Sequence, residues 1–195
     1  IYKKYNMDCA YLAFHILPTD LHQSLQALDH LNIQGINVTI PHKETLLPYI
    51  DHCDPTAQII GAVNTVVKRD NHWHGYNTDA PGFIQSLTRH QQASIAQKNV
   101  SIIGAGGTAK ALSVACLTQG IKQLTLINRS AKRAKALQTH LQNHYPHIPI
   151  HQYTLDDPQL TEVCHKSQLV INTTPIGMAP YTDQNPLPTM QWVTP

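Results

Sequence analysis

Residues 104–109 read Gly-Ala-Gly-Gly-Thr-Ala, between an apolar run at 100–103 and a stretch rich in Ala and Leu. This is the G-x-G-x-x-G/A pattern that cradles a dinucleotide pyrophosphate. Gly104 permits a tight turn, Gly106 lets the backbone approach the anion, and small Ala109 lets the helix pack on its strand. The helix N-terminus then presents N–H groups to the phosphates. The whole loop, Gly104, Ala105, Gly106, Gly107, Thr108 and Ala109, is the candidate cofactor cradle.

The end of the following strand selects the dinucleotide. A chain that binds NAD carries Asp or Glu there, for the ribose 2′-hydroxyl. This chain carries Asn128, Arg129 and Ser130, then Lys132 and Arg133. A carboxylate would repel a 2′-phosphate, whereas Arg129 grips one through charge-assisted bonds and can stack on the adenine. Ser130 can donate from its hydroxyl and its backbone N–H, and Arg133 adds a second guanidinium. Lys132 reads as a helix-surface charge. The expected cofactor is NADP(H).

Reduction of a ketone by hydride puts negative charge on oxygen in the transition state, and a nearby ammonium both stabilises it and supplies the proton. Lys43 is the candidate. It follows the apolar run 36–40 and Pro41, at a strand-to-helix corner where a helix dipole would favour an anion. Such a lysine wants an acidic partner from another segment. Asp79, in Gly-Tyr-Asn-Thr-Asp, stands at a comparable strand-to-helix transition. The competing reading of Asp79 is a plain helix N-cap before Ala-Pro.

The elements that must position these groups can be read from periodicity and punctuation. Residues 9–17 are a strand candidate. Pro18, Thr19 and Asp20 then open a helix with Leu21, Leu25, Leu28 and Leu31 at helical spacing, ended by Gly35. The run 36–40 is the next strand, which predicts a parallel strand–helix–strand unit. A short helix follows over 41–50. Asp54 and Pro55 cap another. Residues 62–79 read as two strands around a turn at Arg69, Asp70 and Asn71, then a helix over 80–90. The polar stretch 90–98 reads as the junction to a second unit. Beyond it, strands at 100–103, 123–130, 148–153 and 167–175 alternate with helices, as in an open doubly wound sheet. The predicted fold is α/β with two domains: an N-terminal α/β substrate domain over 1–79 and a Rossmann-like NADP-binding domain over 80–195.

Bulk properties exclude several functions. Of the 195 residues, 42% are hydrophobic and 13% charged, a globular composition. Net charge is +2, too small to argue for nucleic acid or an anionic membrane as partner. No run approaches the roughly 18 apolar residues of a membrane span. Cys9 and Cys116 lie among apolar residues and read as core, Cys53 and Cys164 have no zinc spacing, and the set fits a reducing cytoplasm. His72 and His74 share a strand face but lack a third ligand, so no metal is expected. The first residues lack a signal-peptide layout and the last, Met-Gln-Trp-Val-Thr-Pro, lack a closing helix, so a piece of a longer protein is expected.

The segments NVTIPHKE, IGAVNTVV, GYNTD, GAGGTAKA, NRS and NTTPIGM occur in the order found in shikimate dehydrogenases, and the chain resembles that family over nearly its whole length. The resemblance implies reversible NADPH-dependent reduction of 3-dehydroshikimate to shikimate, in aromatic amino-acid biosynthesis. It implies that Lys43 is the acid/base and Asp79 its catalytic partner, both in contact with substrate. It also implies that Thr39 and Asn64 bind substrate hydroxyls, and that the segment from Asn172, with Thr173, Thr174, Pro175 and Met178, lines the nicotinamide side. A carboxylate-gripping serine segment and C-terminal helices with a glutamine contact would lie outside the sequence, on the order of a third of a two-domain chain. A monomer or homodimer is expected. The rivals are a quinate/shikimate dehydrogenase of the same superfamily and a non-catalytic NADP-binding sensor. An NAD-using form of the first would carry an acidic residue within 128–133, where none stands; the second would have no need of Lys43, Asp79, Thr39 and Asn64 together.

Overall fold

The computed structural model of the protein describes residues 2–91, 94–180 and 182–187. Its two four-stranded sheets differ in connection because their linkers differ in length. The turn at Asp70 and Asn71, both with left-handed backbone (φ 49° and 62°), folds β3 (Thr65–Arg69) directly onto β4 (His72–Tyr76). A two-residue loop with positive φ at both positions matches the twist of an antiparallel pair. β1 (Gly35–Asn37) adds to β3 antiparallel, and β2 (His52–Cys53) adds to β4 parallel, giving the order β1-β3-β4-β2. In the second sheet every link is a helical crossover, so β5 (Asn99–Ile103), β6 (Gln123–Ile127), β7 (Ile150–Tyr153) and β8 (Leu169–Asn172) run parallel, in the order β7-β6-β5-β8. The alternation expected for a doubly wound sheet is present.

The helices are α1 (Leu21–His30), α2 (His42–Thr45), α3 (Pro55–Ile60), α4 (Asp79–Gln91), α5 (Gly107–Thr118), α6 (Ala131–His144) and α7 (Leu160–His165). α3 begins as its sequence dictates: the Asp54 carboxylate accepts from the N–H groups of Thr56 and Ala57, with Pro55 at the first position. α5 is apolar on nearly every side, with eight buried residues from Ala109 to Leu117, because it lies between the second sheet and α3 and α4.

Four local expectations fail. Residues 9–17 form no strand, and Tyr11, Leu12, Phe14 and Leu17 are exposed. A strand needs a hydrogen-bonding neighbour as well as an apolar pattern. Here β1 is short and pairs antiparallel with β3, so the parallel strand–helix–strand unit expected over residues 9–40 does not form. Cys9 is accordingly exposed rather than core. α1 ends before Leu31, which is exposed; the left-handed residue that follows is Asn32 (φ 54°), while Gly35 starts β1. The expected terminal stretch Met-Gln-Trp-Val-Thr-Pro lies outside the described residues.

Three clusters form the core. Leu21, Leu25, Val38, Leu46, Ala57, Val63, Val66 and Trp73 fill the first sheet's side. Val100, Ile102, Leu112, Cys116, Leu124, Leu126 and Leu141 fill the space between second sheet and helices, joined by Ala80 of α4 and by Ile60 and Ala62 from the first half. Ile103, Ile127, Leu160 and Cys164 form the third, on the second sheet's other side. The seam between the halves is therefore packed, and the candidate site lies along it.

Candidate active site

Lys43 is the second residue of α2. Its backbone carbonyl accepts from Val63 N at 2.8 Å, which ties the short helix to the segment after α3. Its ammonium meets the Asp79 carboxylate at 2.6 Å, with side-chain exposures of 16% and 29%. That exposure is low enough to limit screening and high enough to admit a ligand. The expected meeting of these residues, from segments 36 positions apart, is present.

Asp79 opens α4, but its carboxylate serves the site. One oxygen takes the Lys43 ammonium and the other accepts from Asn64 Nδ2 at 2.8 Å. Its backbone N–H is satisfied by Asn77 Oδ1 at 3.1 Å. Asn64, 9% exposed, uses its other amide hydrogen on Thr78 Oγ1 at 3.0 Å, while its carbonyl accepts from Thr78 N and Thr65 Oγ1. Its amide is thus engaged at both ends, and in this arrangement Asn64 orients Asp79. Contact with another molecule requires it to exchange one of these bonds. Thr39 is exposed, at the turn before α2, where its carbonyl accepts from His42 N at 2.9 Å. Sequence reasoning passed over Thr78, Thr65 and Asn77 as orienting residues. Thr78 and Asn77 lie inside the Gly-Tyr-Asn-Thr-Asp segment, so their position was visible while their partners were not.

The glycine loop comes against this pair. A Cβ built on Gly107 would lie 3.7 Å from the Lys43 side-chain carbons and 3.8 Å from Ala62. Gly104 has φ +118°, and a Cβ there would lie 2.3 Å from Thr173 Oγ1, so only glycine lets β5 and β8 end this close together. A Cβ on Gly106 would meet nothing within 4 Å: the loop faces open space where a pyrophosphate would need room. Thr108 and Ala109 complete the first turn of α5, with Ala109 fully buried against the sheet and Ala105 half-buried. The loop fits a dinucleotide phosphate.

At the end of β6, Asn128 Nδ2 donates to the Ser130 carbonyl at 3.0 Å. Ser130 caps α6 by accepting from Arg133 N, which leaves its hydroxyl hydrogen available to a ligand. Arg129 and Arg133 are both exposed, free to close on an anion. Past β8, Thr173 binds the Ile103 carbonyl through N and Oγ1, at 2.9 and 2.6 Å. Thr174 N and Oγ1 both donate to Asn172 Oδ1, and Met178 N donates to the Pro175 carbonyl. This chain of local bonds shapes the loop 172–178, whose exposed tip carries Met178. The cysteines take no part: burial pushes the Cys116 thiol up to about 12 and raises Cys164 as well, and both are inert at neutral pH. Among the described residues no group of His, Cys, Asp and Glu could hold a metal ion, and no helix is long and apolar enough to cross a membrane.

Sequence profiles of two families match the chain: the shikimate dehydrogenase substrate binding domain over residues 1–66, and shikimate / quinate 5-dehydrogenase over residues 86–175. The chain is 42% identical over 187 residues to shikimate dehydrogenase (NADP(+)) of Methanosphaera stadtmanae, covering 95% of this chain and 64% of that relative. It is 36% identical to shikimate dehydrogenase (NADP(+)) of Halothermothrix orenii, covering 99% of this chain and 67% of that one. Among solved structures, shikimate 5-dehydrogenase of Listeria monocytogenes in complex with shikimate and NAD superposes with a TM-score of 0.87 at 29% identity, covering 100% of this chain and 68% of that one. The chain spans just under two thirds of the length of the Methanosphaera relative.

Proposed function

The chain belongs to the shikimate dehydrogenase family, and from that membership we propose that it carries the reversible NADPH-dependent reduction of 3-dehydroshikimate to shikimate. The observation that carries the reading is the Lys43–Asp79 pair, 2.6 Å apart, with the Lys43 stem against Gly107 of the phosphate loop. It supports the reading because an ammonium that could donate a proton stands beside a glycine loop that could hold a dinucleotide.

We assign residues 1–79 to a substrate domain and 80–195 to the dinucleotide domain. Lys43 is the acid/base: it donates a proton to the alkoxide as it forms, and takes one from the hydroxyl in the reverse direction. Asp79 holds the ammonium in place and shares the substrate with it. Thr39 reaches a substrate hydroxyl from the turn before α2, and Asn64 reaches another by exchanging its Thr78 bond. The loop from Gly104 to Ala109 holds the pyrophosphate; Asn128, Arg129, Ser130 and Arg133 hold the 2′-phosphate end; Thr173, Thr174, Pro175 and Met178 flank the nicotinamide. When bound, NADP(H) supplies or accepts the hydride. The relatives' name, shikimate dehydrogenase (NADP(+)), and the absence of acidic residues from 128–133 both support NADP over NAD. The partner is a small molecule, the assembly a monomer or homodimer, and the four free cysteines suit a cytoplasmic setting.

The test is the appearance of reduced cofactor, followed by absorbance, with shikimate and NADP. Turnover with shikimate and NADP well above that with quinate or NAD is the expected result. Faster turnover of quinate reassigns the substrate, and tight NADP binding without turnover on either makes the protein a sensor.

A further inference from the structure

α2 buries none of its four residues and has no side-chain cap. A helix of this length has no stability of its own, so the position of Lys43 is set by what its neighbours reach. Three consecutive side chains reach three different segments. His42 Nε2 donates to the Ile16 carbonyl at 2.9 Å, Lys43 pairs with Asp79 on α4, and Glu44 Oε2 takes the Lys110 ammonium at 2.7 Å. Lys110 belongs to the first turn of α5, three residues past Gly107. Its ammonium stands near Gly61 at the C-terminal end of α3, where a Cβ would lie 4.0 Å from its Nζ and where carbonyls favour a cation. Among the described residues, this is the one ion pair that reaches α5.

We propose that Glu44 and Lys110 are positioning residues. Their pair fastens the helix that carries the acid/base to the helix that starts at the phosphate loop, and so fixes the Lys43 ammonium relative to the bound cofactor. Val63 N fixes the Lys43 backbone on one side; the ion pair fixes the next residue on the other. Without it, α2 keeps its tethers to residue 16 and α4 but loses the one to α5. The pair does little for global stability, since partly exposed pairs contribute little. Its effect falls on geometry, where a displacement of about 1 Å costs on the order of 100-fold in rate.

This inference rests on the dehydrogenase reading, and the test separates the two. An unmodified protein inactive on every substrate and cofactor pair removes the reading itself. With activity in hand, Glu44→Gln and Lys110→Gln are each expected to lower kcat about tenfold, with shikimate KM and NADP Kd within about twofold. The double Gln variant should be no worse than either single one, and exchanging the charges, Glu44→Lys with Lys110→Glu, should recover most of the rate. Should a Gln variant fold poorly, Glu44→Asp replaces it: it keeps the charge but shortens the reach, and should likewise lower kcat at unchanged NADP Kd, while Lys110→Arg, which keeps charge and reach, should hold most of the rate. The inference is overturned if kcat is unchanged in a folded single variant, or if the charge exchange recovers nothing. It is equally overturned if Lys110→Gln weakens NADP binding while Glu44→Gln does not, for Lys110 would then be a phosphate ligand. A kcat unchanged in folded Glu44→Asp overturns it as well.

Discussion

At the scale of residues, the ammonium of Lys43 is expected to act on charge that exists only in the transition state. Lys43→Ala should therefore depress kcat and kcat/KM together, by about 10²–10⁴-fold, with KM for shikimate nearly unchanged. Lys43→Arg should not restore the rate, because arginine stays protonated and cannot complete the proton cycle. Steady-state kinetics decide the matter: a KM that climbs while kcat holds makes Lys43 a substrate clamp. Arg129 has a separate task. Arg129→Ala should weaken NADP(H) by roughly 1.5–3 kcal/mol, the scale of a charge-assisted bond, and leave NAD(H) affinity little altered. Equal losses in a titration of both cofactors would show that Arg129 does not read the 2′-phosphate. These residues were legible because their types are chemically specific and their neighbours repeat known patterns. Asn64 was marked only by the family resemblance, as a substrate residue, and its bonding within the chain was not legible. Its grip on Asp79 and Thr78 joins positions 14 and 15 apart, which no local pattern encodes.

At the scale of elements, legibility followed how local the determinants are. The Asp54 cap, the turn at Asp70 and Asn71, and the strand–glycine–helix order around residue 104 each depend on a few adjacent residues, and each formed as expected. Residues 9–17 have the composition of a strand but lack a neighbour to pair with, and pairing is a property of the sheet. Glu44 and Lys110 were both unmarked surface charges in the sequence, since their pairing needs α2 laid on α5. The ends of β5 and β8 offer a direct test of such a non-local demand. Gly104→Ala puts a methyl where Thr173 Oγ1 stands, at a φ of +118° that alanine resists. Thr173 must then give up its 2.6 Å bond to the Ile103 carbonyl. The variant should lose about 1–3 kcal/mol of stability in denaturant titration, the usual cost of a strained backbone position, and should bind NADP more weakly. Unchanged stability and affinity would mean that the two strand ends separate freely.

At the scale of the molecule, the first sheet ends before residue 79 and the second begins after it, yet the two share a core. Strand and helix patterns assign residues to elements, and say nothing about which element's residues enter which core. Ile60 and Ala62, from the first half, are fully buried in the same cluster as Leu112 and Cys116 of the second. α3 packs on α5 beside α4, so the core around the second sheet is completed by side chains that precede the expected boundary. The seam that carries Lys43, Asp79 and Gly107 is thus continuous with a core, and the site inherits the rigidity of that core. If so, damage on one side should be felt on the other. Ile60→Ala removes buried methyl and methylene groups and should lower the unfolding free energy by about 2–5 kcal/mol. Because the cavity opens against α5, amide hydrogen exchange should accelerate in β5 and α5 as well as in β3 and β4, by comparable factors. Peptide-resolved exchange by mass spectrometry measures this directly. Acceleration confined to β3 and β4, with β5 and α5 as protected as before, would show two independent folding units that only touch. The packing of Ile60 would then be an adornment of the dinucleotide core, and the position of Lys43 over the phosphate loop would have to be maintained by its polar tethers alone.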